Sequence, residues 1–439
     1  MQNGAVRFNR GRAKTLVPAK TATYFQNRDF GMLGGQYKLR PNLRPNVSST
    51  MTIHLLSGLL AALPTPTRVA KLTRGVLGLV LLGGAGTLAA QTLRILAWDG
   101  YTPTPQLEAY KKEAKQKFGV DLKFKIAYAK QFTDFYDGLR SGKFDMVAPI
   151  YDIIKDDSYD LIAKKLIVPV DLANIPNYRS LIPTLQKPAY ATEAGQVYAV
   201  AMVQGPYGLM YNKDRIAAPT SWSILWDPKY KGQYSVGNLP NFNVVTVALS
   251  LGFTGDAVFN YESLRDDPRV LARLTELAKN SSKVWDGVDD AADLKELPLT
   301  AGYGFSIPAL QKMGQHWAYA RPTEGSIWWV DNWVLSAQLA AQPNLKRIAE
   351  DFINFTLSPH YQLDVFMRGT ASFPVTMAVK PLATRKEVEF FHLNDPSYLG
   401  LDRPTLKSLS RRDRNGMQHL WETALSQAGR KPEPAGKAP

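Results

Sequence analysis

The segment from residue 93 to residue 149 reads LRILAWDGYTPTPQLEAYKKEAKQKFGVDLKFKIAYAKQFTDFYDGLRSGKFDMVAP. Runs of β-branched and large apolar residues predict strands, and apolar residues at helical spacing predict the helices between them. In chain order, the predicted elements are a strand over 93–98, a helix over 107–118, a strand over 120–128, a helix over 132–139 and a strand over 144–148. This alternation predicts a parallel sheet with helices on both faces.

The same alternation recurs later in the chain. The elements predicted there are strands over 207–212, 232–236 and 301–307 and a helix over 244–251. With 439 residues, the chain is longer than one hydrophobic core usually organises, so we predict two α/β lobes. Open α/β sheets bind ligands at the carboxyl ends of their strands, and a cleft between lobes is a favoured pocket. The residues that follow the predicted strands are therefore the candidates for a site.

The composition narrows the classes of function. The chain has no cysteine, which excludes a disulfide, a thiol nucleophile, a cysteine-ligated metal and a lipid-anchored N-terminal cysteine. The formal net charge of +15 at first suggests nucleic acid as a partner. However, residues 1–90 contain 12 of the 53 basic residues and one of the 38 acidic residues, which leaves residues 91–439 with a net charge of +4. We therefore expect no nucleic-acid partner.

The region before the first strand is predicted to be a processing signal. Three basic residues between positions 68 and 74 precede an apolar run over 76–82, and small residues follow. This order is typical of a secretory signal peptide, so residues 51–90 are predicted as the signal-peptide region, cleaved near Ala89 or Ala90. A permanent transmembrane helix is the alternative, but it needs about 20 apolar residues.

The two ends of the chain are predicted to lie outside the fold. Residues 1–50 are basic and aperiodic, and we interpret them as an over-extended gene start or a disordered segment, with a basic arm as the alternative. Residues 427–439 are rich in Pro, Gly and Lys and predict a disordered tail. After cleavage, the mature protein is expected to be periplasmic or secreted, without a lipid anchor because there is no cysteine.

Motifs for catalysis and metal binding are missing from the sequence. None of the five histidines stands in a His-Glu-x-x-His or His-x-His arrangement. Ser306 lies in GFSIP, which lacks the second glycine of a nucleophile elbow. We therefore expect no catalytic residue, no metal and no cofactor. A secreted α/β hydrolase is a less favoured alternative, against which the histidine inventory argues.

Aromatic residues next to carboxylates follow the predicted strands in both parts of the chain. The candidate ligand-binding residues of this kind are Trp98, Asp99, Tyr101, Tyr151, Asp152, Tyr303, Phe305, Trp329 and Asp331. Ring faces attract a cation and cover its methylenes, while a carboxylate pairs with an ammonium group. The pattern favours a small cationic solute. The alternatives are core packing for the tryptophans, a turn for Asp99 and a helix cap for Asp152.

Four segments resemble the extracellular solute-binding proteins of ABC importers, specifically the spermidine/putrescine-binding group. These segments are Leu93–Tyr101, Asp145–Pro149, Thr220–Gly232 and Glu324–Asp331. The third is the most specific: it reads TSWSILWDPKYKG and is similar to the group's Ser-Trp-x-x-Leu-Trp-x-x-x-Tyr-x-Gly pattern. The resemblance covers roughly residues 91–425.

The resemblance implies an α/β, two-lobed periplasmic-binding-protein fold, type II-like, with a hinge and a ligand cleft between the lobes. The implied lobes are 91–203 plus 331–372 for lobe 1 and 204–330 plus 373–426 for lobe 2. Ligand would shift the population towards the closed form. The closed face would then dock on the membrane permease of an ABC transporter, and the binding protein itself is expected to be a monomer.

The resemblance also implies roles for single residues. Trp98 and Tyr101 would line the cleft, Trp329 would stack on a polyamine chain, and Asp331 would bind an amine. Tyr303 takes a place near one where the group has a tryptophan.

The second lobe departs from the group's pattern. Polyamine binders usually place an Asp and a Glu before a helix there, whereas residues 237–243 of this chain read GNLPNFN. A polyamine site in which Asp99 and Asp152 compensate is the first prediction. A different small polar solute, held by amides such as that of Asn238, is the alternative.

Overall fold

A computed structural model describes residues 89–399 and 408–430 of the chain. The predicted segment 1–50 and nearly all of the predicted signal-peptide region 51–90 lie outside the described residues. Within the described ranges, no helix is both long and apolar enough to cross a membrane.

Strands and helices alternate along the described ranges. The strands are β1 Ala89–Ala97, β2 Val120–Tyr128, β3 Met146–Val147, β4 Ile167–Val168, β5 Thr192–Glu193, β6 Gln196–Val197, β7 Ala199–Asn212, β8 Tyr234–Gly237, β9 Lys283–Trp285, β10 Leu299–Gly302, β11 Trp317–Tyr319 and β12 Ile327–Ser336. The α-helices are α1 Thr104–Phe118, α2 Thr133–Arg140, α3 Pro240–Ser250, α4 Tyr261–Asp266, α5 Pro268–Asn280, α6 Ala291–Leu294, α7 Ile307–Lys312, α8 Pro343–Thr356, α9 Pro359–Tyr361, α10 Arg368–Thr370, α11 Arg385–Phe390, α12 Pro396–Leu399 and α13 Arg411–Gln427. A 3₁₀ turn, Tyr151–Ile154, follows β3.

The predicted alternation of strands and helices at the start of the fold is confirmed. Strand β1 is parallel to both β2 and β3, with α1 and α2 in the connections. The later elements differ from prediction in their bounds: the strand predicted over 207–212 is the end of β7, which begins at Ala199, and the one predicted over 232–236 is β8, Tyr234–Gly237. The strand predicted over 301–307 ends at Gly302, because Gly304 has a φ of +85° and Ile307 already begins α7. The helix predicted over 244–251 begins at Pro240, since proline fits the first turn of a helix.

One mixed sheet organises the described part of the chain. Its strand order is β2-β1-β3-β12-β7-β10-β8-β9, with β4 on β12 and β11 on β7. The first part of β7 is antiparallel to β12, and its last part pairs with β10 and β11. We call β1–β4 with α1, α2 and α8 the first half, and β8–β11 with α3, α4, α5, α7 and α13 the second half. Strands β7 and β12 connect the two halves.

The segments predicted to cross between lobes lie next to each other. Gly205 on β7 pairs with Trp329 on β12. The neighbouring Gln204 is fully buried, forms a bridge with Phe373 and donates its side-chain amide to the carbonyl of Pro374 at 3.0 Å. One buried glutamine thus joins the predicted lobe crossing near residue 204 to the predicted crossing near residue 373. The lobe boundaries themselves stay a prediction.

The disordered tail predicted over 427–439 begins too early. Helix α13 continues through Gln427, and Arg430 donates to two backbone carbonyls at the end of α5. The first residues of the predicted tail therefore belong to the fold, because α13 packs along α5. Residues 431–439 lie outside the described residues.

A largely buried ion pair ties β1 to the segment before β3. Nη2 of Arg94 lies 2.7 Å from Oδ1 of Asp145, and Nε donates to Oδ2 at 3.0 Å. The backbone N–H of Arg94 also donates to Oδ2, at 2.8 Å. The Asp145 side chain is 1% exposed, so these partners offset the cost of burying its carboxylate.

Replacing Asp145 by alanine is expected to lower the free energy of unfolding by about 2 kcal/mol, because the N–H groups of Arg94 that bind the carboxylate lose their acceptor. The value is below that of a fully buried pair because the Arg94 side chain is 33% exposed. Urea denaturation of Asp145→Ala measures the loss. The matched control is Asp137→Ala, which removes an exposed ion pair with Arg140 and should leave stability unchanged. Equal losses in the two variants would contradict this account.

Candidate functional site

The carboxylate of Asp331 lies at the centre of the candidate site. Trp329 and Asp331 are two positions apart on β12, which places both side chains on the same face of the strand. The hydroxyl of Tyr101, which follows β1, donates to Oδ2 of Asp331 at 2.7 Å. Asp331 is 4% exposed, so its carboxyl group is almost inaccessible to water.

A second carboxylate reaches the same place from the turn after β3. Ile150 forms a backbone bridge with Asp331, which brings the following residues Tyr151 and Asp152 next to β12. Both side chains are buried. The chain thus brings the carboxylates of Asp152 and Asp331 to one buried region, a proximity that sequence spacing alone does not show.

Burial shifts both carboxylates towards their neutral forms. It raises the pKa of Asp331 to about 7; the negative charge of Asp152 adds to the rise, and the hydrogen bond from Tyr101 opposes it. Burial also raises the pKa of Asp152 to about 6, opposed by the positive charge of Arg414 and assisted by the negative charge of Asp156. Both carboxylates would therefore gain from a positively charged neighbour.

Three aromatic rings form a wall beside Asp331. Tyr303 stacks on Phe305 with ring centroids 5.7 Å apart, and Trp329 meets these rings edge to face at 6.2 Å and 5.8 Å. Tyr207 and Phe242 pack behind Tyr303. Tyr303 and Phe305 follow β10 of the second half, whereas Asp331 is contacted by Tyr101 of the first half. We call Tyr101, Tyr151, Asp152, Tyr303, Phe305, Trp329 and Asp331 the Asp331 cluster.

Asp289, which is not among the residues predicted from the sequence, is a buried residue that shapes this wall. Its Oδ1 accepts hydrogen bonds from the backbone N–H groups of Tyr303 at 2.7 Å and Gly304 at 3.0 Å. Its Oδ2 accepts from the backbone N–H of Ser306 at 3.0 Å and from its hydroxyl at 2.5 Å. A Cβ at Gly304 would lie 1.9 Å from the hydroxyl of Tyr319, so this turn needs glycine. No motif spacing in the sequence points to Asp289.

Several polar atoms of the cluster have no protein partner. The hydroxyl of Tyr151, Oδ1 of Asp152 and Nε1 of Trp329 are buried and make no hydrogen bond within the described part of the chain. Such atoms are costly in a fold unless something else satisfies them. They include an acceptor, a donor and a hydroxyl that can act as either. The cluster therefore has the composition of a small-molecule binding site.

Asn238, the candidate from the second half, is engaged with other protein groups. Its side-chain amide donates to Oδ1 of Asp286 at 2.9 Å, and its oxygen accepts from Nε1 of Trp421 on α13 at 2.8 Å. The nearby Asn243 also has protein partners, Tyr207 and Gly237. The structure thus gives these amides roles in holding the second half together.

Trp98 and Asp99 make contacts away from the cluster. The Trp98 ring packs edge-on against Phe132 and Phe135, with centroids 5.6 and 5.1 Å away. Asp99 is exposed, and its Oδ1 accepts from the backbone N–H of Gly100 at 2.8 Å. That contact is the one expected of a turn residue. The structure therefore brings Asp152, Trp329 and Asp331 together and leaves Trp98 and Asp99 to local packing.

Comparison with known proteins assigns the chain to a family. The sequence profile described as bacterial extracellular solute-binding protein matches residues 144–394, more than half of the chain. The chain belongs to the bacterial extracellular solute-binding protein family. This solute-binding protein is 26% identical over 278 residues to the spermidine/putrescine-binding periplasmic protein of Escherichia coli strain K12, a match that covers 61% of this chain and 73% of that relative.

Solved structures of binding proteins share its fold. The spermidine/putrescine ABC transporter substrate-binding protein of Streptococcus pneumoniae, in complex with calcium and HEPES, matches with a TM-score of 0.62 at 17% identity, covering 77% of this chain and 99% of that one. The binding protein MotA of A. tumefaciens B6, in complex with glucopine, matches with a TM-score of 0.52 at 16% identity, covering 77% and 100%. The predicted α/β, two-lobed periplasmic-binding-protein fold is confirmed.

The raised pKa of Asp331 predicts a pH dependence of stability without ligand. Between about pH 4, where an unfolded aspartate releases its proton, and about pH 7, the folded solute-binding protein keeps a proton that the unfolded chain has lost. Stability from this group is therefore highest at low pH and falls as the pH rises through this window. Asp331→Asn should flatten the fall in unfolding free energy, measured by urea denaturation at several pH values. The exposed Asp99→Asn should leave this pH dependence as it is in the wild type. An unchanged pH dependence in Asp331→Asn would contradict the raised pKa of Asp331.

Removing the carboxylate that holds the aromatic wall is expected to be costly. Asp289→Ala leaves three backbone N–H groups and one hydroxyl without their acceptor, so the free energy of unfolding should fall by about 3 kcal/mol. The adjacent Asp290 caps α6 through one hydrogen bond, and Asp290→Ala should cost about 1 kcal/mol. Denaturant titration of the two variants compares the losses, and a loss in Asp289→Ala no larger than in Asp290→Ala would refute this role.

Proposed function

We propose that this protein captures a small cationic solute, a polyamine such as putrescine or spermidine, for an ABC importer. The observation that carries the proposal is Asp331, a nearly inaccessible carboxylate with an aromatic wall on one side and the single hydroxyl of Tyr101 as hydrogen-bond donor. A carboxylate in such surroundings is costly unless a cation joins it. The likeness to spermidine/putrescine-binding proteins supports the same ligand class.

The cluster supplies each interaction that an alkyl amine needs. Asp331 would pair with an ammonium group through a charge-assisted hydrogen bond. The rings of Trp329, Tyr303 and Phe305 would cover methylenes and attract the cation, each such contact contributing about 0.5–2 kcal/mol. Oδ1 of Asp152, which has no partner in the described part of the chain, would accept a second ammonium. The protein would thus act by binding its ligand, without a catalytic step, metal or cofactor.

The binding cycle that we propose is closure of two lobes about a hinge. Lobe 1 would comprise 91–203 and 331–372, and lobe 2 would comprise 204–330 and 373–426. Because Tyr101 and Asp152 stand on one side of the cluster and Tyr303 and Phe305 on the other, the full set of contacts exists only when the halves are together. Ligand would therefore shift the population towards the closed form. The closed protein, a monomer outside the inner membrane, would dock on the permease.

A different polar solute is the second candidate. Asn238 would not hold such a solute, because its amide is occupied by protein partners. One observation favours this candidate: Nε1 of Trp329 is a donor that a simple diamine leaves unsatisfied. A ligand with a hydrogen-bond acceptor as well as an amine would satisfy that indole. The glucopine complex of MotA supports ligand variety on this fold.

The test is a thermal-shift screen of the full chain, followed by isothermal titration calorimetry. A polyamine should stabilise the protein by about 2.7 kcal/mol at a concentration a hundred times its Kd. Asp331→Asn should weaken binding at least about thirtyfold, because it removes the buried partner of the ammonium. Asp99→Asn is the matched control and should bind as the wild type does. A response to amino acids, sugars or oxyanions without any response to polyamines would favour the second candidate and reject the first.

A further inference from the structure

Arg414 stands on a helix that is fixed to the second half of the molecule. Helix α13 packs on α3, α4 and α5. Near its start, Oδ1 of Asp413 accepts from the backbone N–H of Tyr261, and Arg412 pairs with Glu262 of α4. The first turn of α13 is thereby anchored to α4 immediately before Arg414.

The Arg414 side chain leaves the second half and reaches carboxylates of the first half. Its Nη2 lies 2.5 Å from Oδ2 of Asp156 and 3.7 Å from Oδ2 of Asp152. Its guanidinium carbon lies 5.4 Å from the centre of the Tyr159 ring. These three partners lie in the segment that follows β3. The contact therefore spans the gap between the two halves, beside the Asp331 cluster.

The carboxylates depend on Arg414 for charge compensation. The Asp156 side chain is fully buried; Arg414 is its ion-pair partner, and its Oδ1 accepts a hydrogen bond from the backbone N–H of Ser158 at 2.8 Å. The adjacent Lys155 pairs instead with Glu193. A buried carboxylate that loses its cation pays a large desolvation cost, so separating the halves is unfavourable at this point. The Arg414 side chain is 19% exposed, so the attraction is only weakly screened by water.

We propose that Arg414 is an internal clamp that favours the closed arrangement of the two halves before any ligand binds. Its Nη2 lies nearest Oδ2 of Asp152, whereas Oδ1 has no partner in the described part of the chain, so Arg414 would hold the carboxylate and leave Oδ1 for the ligand. The clamp rests on the hinge motion of the proposed function but not on the identity of the ligand. It makes Arg414 a positioning residue for the Asp331 cluster.

The test measures the separation of the halves in the full chain without ligand. Because the chain has no cysteine, a variant with Glu108→Cys on α1 and Met313→Cys next to α7 can be labelled at these two positions alone with a mixture of donor and acceptor dyes. Both positions are exposed. In this labelled protein, Arg414→Met should lower the efficiency of energy transfer. Arg412→Met is the matched control, since it removes an ion pair within the second half, and it should leave the efficiency unchanged.

A second variant approaches the clamp from the other half. Asp156→Asn keeps the shape of the side chain and should lower the transfer efficiency as well, and the double variant should add little to either single change. If Arg414→Met does not fold, the transfer efficiency of Asp156→Asn still tests the clamp. Unchanged efficiency in Asp156→Asn, or an equal fall in Arg412→Met, overturns the proposal. The readout needs no ligand, so a failure of amines to bind leaves the clamp standing, and a failed clamp leaves the amine proposal intact.

Discussion

The pairing of β7 with β12 is the constraint on which the rest of the structure depends. The two strands run antiparallel from Tyr207 opposite Ile327 to Ala199 opposite Val334, with one irregularity next to Asp331. The remaining part of β7 continues into the second half, where it pairs with β10 and β11. The pairing of β7 with β12 thus sets the position of Asp331 relative to the first half. Because β7 also pairs with β10, it fixes the strand after which the aromatic wall begins. A shift of this register by one residue would turn Asp331 to the other face of the sheet.

Elements with strong local signals could be predicted from the sequence, and contacts between distant segments could not. The first five elements follow from apolar spacing, and Trp329 and Asp331 stand out because a ring and a carboxylate lie two positions apart in an aromatic-rich stretch. Asp289 and Arg414 have no such signal, since their roles arise from residues brought together only by the sheet topology. Asp99 shows the opposite error in local reasoning: it follows a strand as Asp152 does, yet a tight turn takes its carboxylate into solvent.

The buried carboxylates of the described chain separate into two kinds by how they are compensated. Asp145 has the guanidinium of Arg94, and Asp289 has four hydrogen bonds from one loop. Both are explained by the fold alone. Asp331 has one hydroxyl, and Asp152 shares one arginine with Asp156. Carboxylates left in this condition are costly to the fold, which is why we propose that these two belong to a binding site, whereas the first two have structural roles.

The two sources of positive charge act on the same boundary between the halves. Arg414 brings its charge from the second half to Asp152 and Asp156, and the proposed ligand would bring its own to Asp331, with rings of the second half around it. Since like charges in a shared low-dielectric region raise each other's cost, compensating one carboxylate also lowers the cost of ionising its neighbour. The clamp and the ligand would therefore support each other through Asp152. A cation that entered the cluster would meet halves that the proposed clamp already favours in contact, so closure would consume less of its binding free energy.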